Sequence, residues 1–590
     1  LDAFNIGRRN PAGKPVPEYS EGEGRFIDGI SPANNGRVYT LNTPKKFDEG
    51  PDGWIKTEMV GQMQGENNYT HFTQISVNDN ELYNDSFYGQ ENVFVEGRLP
   101  VDWVGDELRV RIKSTLSVSN SNDIINVSYV RARYPRVLSL GGESEFLMFV
   151  PSGSESKDLL VISDYNNLNS TVRLYDLTTG SRIQVQPDNG SYYALVNNTG
   201  KERKCYLTNE KSIRTVSSIR SVSKTSSKFV NYQKQIQDKG GVDYLLLTGT
   251  QLMTAAQEYG DYREANGLKT IVADMDQLYD QFSFGIRKHP MSMRNFADAV
   301  INEWEFDPTY LFLCGKSITA NYTDARFGTA FEKNIVPTWS VVGSDVGITQ
   351  GLNDQSILDP VLATGRVAVN NENELRVYLN KVKQYESAEP KDWMKQVLHF
   401  GGGADEDEQS DFKDYLAVYE VLVEDSLFGG NVHTFLKNSS DPIQINLSDS
   451  VENLINTGVS IMTFFGHAYG NNFDQSIDEP ENYENTGKYP FILANSCLIG
   501  NIHTNGYSSG SERFVLAEDK GAIGFLGSSS LGVASYLDKY SKEFYENFST
   551  DFYGWPVGKI VQQTIKDMQD STFLYNRDVA MHMTLHCDPA

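Results

Sequence analysis

Cysteine is scarce in this chain: there are four in 590 residues, Cys205, Cys314, Cys497 and Cys587, and none belongs to a CxxC pair. That scarcity indicates neither a disulfide framework nor a zinc cluster, while thiol chemistry at a single cysteine stays open. Histidine is sparse too, at eight residues, and His71, His289, His399, His433, His582 and His586 fall at no spacing typical of a metal site, so they read as structural. No apolar run approaches the ~20 residues a membrane-spanning helix needs, and the expectation is a soluble protein or soluble ectodomain. Positive charge is in deficit, with 52 Lys and Arg against 78 Asp and Glu and a net charge of -26. Nucleic acid or an anionic membrane surface would be repelled by that excess, which argues against both as partners. An initiating methionine and a signal peptide are also missing, and the alternating apolar segment MHMTLHCDPA runs to the last residue. These features lead to the expectation of a mature form or a piece of a longer polypeptide.

What is present divides by period. Up to about residue 205 the dominant repeat is two. In LRVRIKSTLSV, Leu108, Val110, Ile112, Leu116 and Val118 share one face and Arg109, Arg111 and Lys113 the other, the pattern of a half-buried antiparallel strand. INVSYVRARY reads the same way, and STVRLYDLTTGSRIQV reads as a hairpin turning through Thr179, Gly180 and Ser181. Sandwich-like β-domains are expected here. KSIRTVSSIRSVSKTSSK, residues 211–228, reads as a linker, with a basic docking strip as the alternative. Beyond residue 240 continuous apolar strands alternate with helical patterns: VDYLLLTG, KTIVADM, TYLFLCG and PVLATGRVAV, then KQVLHFGGG and AIGFLG. These predict parallel α/β layering. The expected domains are a β-domain over 1–135, a second β-rich segment and linker over 136–235, and α/β subdomains over 236–395 and 396–590.

Two apolar strands in the last subdomain stop on reactive residues. The apolar run in SIMTFFGHAYG stops on His467 and that in YPFILANSCLIG on Cys497, thirty residues apart, about one strand-to-strand crossover. On parallel neighbouring strands both side chains would emerge on one sheet edge, where open α/β sheets place ligands. An imidazole there can stabilise a thiolate and then protonate a leaving group. Gly466 and Gly500 permit close backbone approach, and the N–H groups of Cys497 and Ala468 are candidate oxyanion donors. The plainer reading of each residue is structural: a buried free cysteine and a satisfied strand-end histidine.

Other motifs compete. GYSSG, residues 506–510, fits a nucleophile elbow with Ser508, but the polar GNIHTN before it is no strand. CGKS resembles the end of a phosphate-binding loop, yet the first glycine of that loop would fall at Tyr310, which rejects it. DEDEQSD, residues 405–411, reads as a helix start, where carboxylates favour the positive dipole end. His503 is a rival base that reads as a surface loop residue.

NTGVSIMTFFGHAYG followed by KYPFILANSCLIGNIHT resembles the catalytic core of the gingipain family of cysteine peptidases, and more closely its sortase-like PorU group from the type IX secretion system of Bacteroidetes. The similarity extends over residues 236 to 590, including HPMSMRNFADAVINEW, VPTWSVVGSD and the final MTLHCDPA, where relatives commonly have Gly-Asp-Pro. The resemblance implies a caspase-like α/β catalytic unit of two subdomains, Cys497 as nucleophile and His467 as its acid-base partner. It implies an acid supporting the histidine, for which Asp345 and Asp474 are the candidates, and candidate calcium ligands in Asp405, Asp407 and Asp411, with no cofactor required. Ala468 stands where many relatives have glycine; the backbone donor is kept, while the methyl narrows the approach to the scissile carbonyl. The implied function is an extracytoplasmic peptidase or transpeptidase at the cell surface or outer membrane. It would remove C-terminal sorting domains from exported cargo and attach the cargo to the surface, with type IX secretion outer-membrane components as partners. The alternatives are an inactive scaffold subunit of a secretion or attachment complex and a secreted protease.

Overall fold

The structure, a computed structural model, describes residues 8–9, 15–16, 29–61, 70–88, 92–116, 123–219, 229–319, 328–339, 343–356, 359–441, 444–445, 449–469, 472–476, 479–505, 509–569 and 574–590. They form two units, one of Phe26–Ser221 and one of Leu1–Arg25 with Val222–Ala590.

The unit Phe26–Ser221 is all β. A four-stranded antiparallel sheet (Arg37–Asn42, Glu107–Ser114, Thr70–Val77, Asn80–Tyr88) and a three-stranded one (Asn92–Leu99, Gly53–Gly61, Ile125–Arg133) share one core. Leu108, Val110 and Ile112 are fully buried in it, as their alternation requires, while Val118 lies outside the described residues. A second pair of sheets encloses Leu174, Val196, Cys205 and Leu207. Its hairpin pairs Val172–Asp176 with Ser181–Ile183, so the turn begins at Leu177, two residues before the expected Thr179. The Asp176 carboxylate accepts the N–H groups of Thr178 and Thr179 and starts the turn there.

In the second unit the continuous apolar segments become strands covered on both faces. The first sheet holds β1 (Tyr244–Thr248), β2 (Thr270–Asp274), β3 (Tyr310–Cys314) and β4 (Ala363–Val367), all parallel, in the order β2-β1-β3-β4. Helix α1 (Met253–Ala265) joins β1 to β2, and α2 (Glu372–Glu386) follows β4 with Leu375, Tyr378, Leu379 and Val382 buried. The second sheet holds β5 (Gln396–Gly401), β6 (Asn431–Leu436), β7 (Ile461–Phe465), β8 (Phe491–Asn495), β9 (Gly524–Ser528) and β10 (Met583–His586), in the order β6-β5-β7-β8-β9-β10. Only the β9–β10 pairing is antiparallel. Helix α3 (Glu406–Glu424) joins β5 to β6, α4 (Gly510–Leu516) precedes β9 and α5 (Ala534–Glu546) follows it.

Two features of this arrangement position the site. The chain leaves β5 for β6 on one side and β7 lies on the other, so the direction of winding reverses between β5 and β7; a crevice opens at such a point beyond the C-terminal strand ends. The segment after β9 locks the two sheets together. Ala368 N–H, just past β4, donates to His586 Nε2 at 3.1 Å, and the buried Asp588 carboxylate accepts from Arg263 of α1 at 2.6 and 2.9 Å.

Candidate active site

The register of β7 and β8 brings the two reactive residues level. Phe465 pairs with Asn495 as the last rung, and His467 and Cys497 each stand two residues beyond it, on strands about 4.8 Å apart. Gly466 N–H extends the ladder by donating to Asn495 O at 3.1 Å. Both flanking glycines permit close approach: a Cβ on Gly466 would sit 2.6 Å from Asp474 Oδ1, and one on Gly500 would sit 2.2 Å from Gly527 O.

The imidazole meets its acid across the switch point. After β5 the chain turns through Gly402 and Gly403 and enters α3 with Asp405 as N-cap, its carboxylate accepting the N–H of Glu408 at 3.0 Å. Glu408, the third helical residue, accepts Ala404 N–H at 2.8 Å and His467 Nε2 at 2.8 Å through the same oxygen. The hydrogen bonds from His467 and then from Ala404 hold the Glu408 carboxyl below its ordinary range, so it is ionised. Nδ1 remains as the ring nitrogen for a reacting group, and the ring packs edge-on to Phe412 at 6.1 Å. Ring and carboxylate are both about two-fifths exposed, open to a substrate.

Neither of the acids expected from the sequence touches this ring. Asp474 donates its backbone N–H to His467 O at 2.9 Å, but its buried carboxylate turns away to Gly403 N–H at 2.9 Å and Lys437 Nζ at 3.5 Å. It fixes the backbone beneath the imidazole, whereas Glu408 holds the ring. Asp345 sits past β3, bound to Arg366 of β4 at 2.6 and 2.8 Å. Glu408 belongs to the acidic run that marks the helix start, and its place at the third helical position was the only local signal of a second role.

Cys497 is half-buried, and its sulfur accepts Gly532 N–H at 3.4 Å, from the loop between β9 and α5. The same sulfur lies 3.8 Å from Gly532 O, to which a thiol S–H donates. The other three cysteines are buried, and burial pushes their thiols up, Cys205 to about 11 and Cys314 and Cys587 well above the usual thiol value. Among the described residues the Cys497 N–H donates to no other backbone group. Ala468 pairs with Phe473 in a short antiparallel bridge, and because Asp474 N–H donates to His467 O, the hydrogen-bonded rungs fall at 467/474 and 469/472. The Ala468 N–H therefore points away from that ladder.

The rival groups are engaged elsewhere. His503 is fully buried, not on the surface, with Nδ1 at 2.5 Å from Ser317 Oγ. Lys316 of the CGKS segment forms a buried ion pair with Glu512 at 2.6 Å. Ser508 lies outside the described residues. Asp405 serves as the N-cap, and among the described residues no group of three or more His, Cys, Asp or Glu is placed to hold a metal ion. Among the described residues no helix is long and apolar enough to cross a membrane.

Burial lowers both His399 and His503 from about 6.5 to about 3. Because these folded values lie below the ordinary one, the unfolded chain takes up protons first as pH falls. Stability is therefore expected to decline from pH 6.5 toward pH 3, on the order of 2 kcal/mol per histidine by pH 5. Urea midpoints at pH 7.5 and pH 5 check this; coincident curves would refute it.

Solved structures to which the chain is similar include the Arg-specific cysteine proteinase gingipain R, at 15% identity over 60% of this chain and 78% of that one with a TM-score of 0.48. The complex of Porphyromonas gingivalis RgpB pro- and mature domains matches at 14% identity over 59% and 78%, with a TM-score of 0.48. Dimeric latent PorU from Porphyromonas gingivalis matches at 15% identity over 67% of this chain and 42% of that one, with a TM-score of 0.40. No curated protein matches the chain significantly. The model of peptidase family C25 matches residues 237–590, which hold both parallel sheets of the second unit, and the chain belongs to that family, the gingipain family of cysteine peptidases.

Proposed function

We propose that this peptidase acts on exported proteins outside the cytoplasm, at the cell surface or outer membrane. It removes the C-terminal sorting domain of type IX secretion cargo and transfers the cargo to a surface acceptor, working beside outer-membrane components of that system. The observation that supports this best is the level placement of His467 and Cys497 past paired strands, with Glu408 on the far side of the imidazole.

In this reading the Cys497 thiolate attacks the scissile carbonyl carbon, forming a C–S bond and an oxyanion that faces the N–H groups of Cys497 and Ala468. Collapse restores the C=O bond and breaks C–N while the His467 imidazolium gives its proton to the leaving amine. Water or an incoming amine then attacks the thioester, His467 takes the proton, and sulfur departs as thiolate. The Glu408 carboxylate keeps the ring oriented through both steps.

The test is mass spectrometry of cargo C-termini from cells carrying Cys497→Ala. Retained sorting domains support the sortase reading, and normal processing overturns it. Labelling by a small thiol electrophile separates enzyme from inactive scaffold: an enzyme gives fast modification of Cys497 that slows in His467→Ala, a scaffold the slow rate of an ordinary thiol at Cys497, unchanged in His467→Ala. Glu408→Gln is expected to lower kcat/KM about tenfold, the low end for a charge-assisted hydrogen bond at a half-exposed position. Far-UV circular dichroism should be unchanged, because glutamine still accepts the Ala404 N–H.

A further inference from the structure

The thiol is bordered by large apolar side chains that stand exposed among the described residues. Leu498, directly after the nucleophile, is 46% exposed; Leu531 and Val533, either side of the Gly532 that binds Sγ, are 74% and 40% exposed. Three exposed aliphatic residues, each one position from an atom in the site, are costly in water and mark a surface that meets something apolar. Leu498 is also held at φ +61, a left-handed conformation that costs a leucine about 1–2 kcal/mol. Its N–H bond to Ser530 O at 2.9 Å, followed by Gly500 N–H to Ser528 O at 3.0 Å, ties the loop after Cys497 to the loop after β9 and keeps the strained residue in place. Backbone strain that persists beside a reactive group is a feature of sites where a side chain has to be presented.

Charge is missing from the two segments that carry these residues. Residues 496–500 and 529–535 include no Asp, Glu, Lys or Arg. Glu408 is engaged by His467 and Ala404, and the first carboxylate along α5, Asp538, accepts from Tyr419 Oη at 2.7 Å. A guanidinium or ammonium group placed against Leu498, Leu531 and Val533 would lose water without gaining a partner from those two segments.

Resting on the cysteine-peptidase reading above, we infer that these three residues select the side chain of the residue that supplies the acyl group, and that they favour an aliphatic side chain over a basic one. The acyl residue is the one concerned because its Cα is bonded to the carbon that sulfur attacks, so its side chain stays beside Sγ through the thioester, whereas the amine side departs.

The test uses the full chain and peptidyl acyloxymethyl ketones that differ only at the acyl residue, Leu, Ala, Arg or Glu, with Cys497 modification followed by intact mass. Iodoacetamide alkylation, which fills no side-chain pocket, is the reference for each variant. The Leu probe is expected to label at least about tenfold faster than the Ala or Arg probe, since one methylene in an apolar pocket is worth roughly 10- to 200-fold. In Leu531→Ser and Val533→Ser, both at exposed positions that folding tolerates, the Leu-to-Arg ratio should fall severalfold after normalisation to iodoacetamide. Arg labelling as fast as Leu, or a ratio unmoved in both variants, overturns the inference. Failure of iodoacetamide to modify Cys497 selectively would instead overturn the catalytic reading on which it rests.

Discussion

Cys497→Ala is expected to lower peptide cleavage by about 10⁴-fold or more, His467→Ala to cost nearly as much, and the double variant to add little, because nucleophile and base act as one unit. The size of the effect follows from what else could attack. Cys205, Cys314 and Cys587 are buried with their thiols pushed up, so none can supply a thiolate when Cys497 is gone. Single-turnover assays with trapping of the thioester measure this directly. Cleavage that survives Cys497→Ala, or full additivity of the two losses, would mean that the pair is not the reacting unit.

The second large effect is on stability. Arg366 is fully buried, donating to Gly315 O at 2.9 Å, Val336 O at 2.8 Å and Pro337 O at 3.1 Å, and its charge is balanced by Asp345 alone among these contacts. Asp345→Ala leaves a buried cation without its counter-ion and is expected to cost about 3–5 kcal/mol. Urea unfolding should show a lower midpoint with an unchanged slope. A change below about 1 kcal/mol would show that the guanidinium finds water or another partner. Burial alone would raise the Asp345 carboxyl, but the Arg366 charge and hydrogen bonds overcome it and hold the carboxyl below the ordinary value. Its contribution is therefore complete above the usual carboxylate range and is lost as pH falls through the lowered value.

Much of this was legible along the chain. Strands such as Tyr244–Thr248 and Phe491–Asn495 are runs of apolar residues buried on both faces, and that pattern is local, so it can be read without knowing neighbours. The alternation in Glu107–Ser114 marks a strand with one wet face for the same reason. His467 and Cys497 were readable because each ends such a run.

What the amino-acid order determined by itself was therefore the type of each element and the two groups that react. The tertiary structure decided which acid orients the imidazole. Glu408 reaches His467 only because β5 lies beside β7 with β6 displaced to the other edge, and strand order is set by long-range packing that leaves no trace in local spacing. Asp474, seven residues from the histidine, looked nearer and points away, since its hairpin aims the carboxylate at Gly403 and Lys437. His503 shows the same limit: a polar stretch that reads as a surface loop is buried once the segments after β3 pack on it, where Ser317 satisfies one ring nitrogen and neutrality avoids the cost of a buried charge.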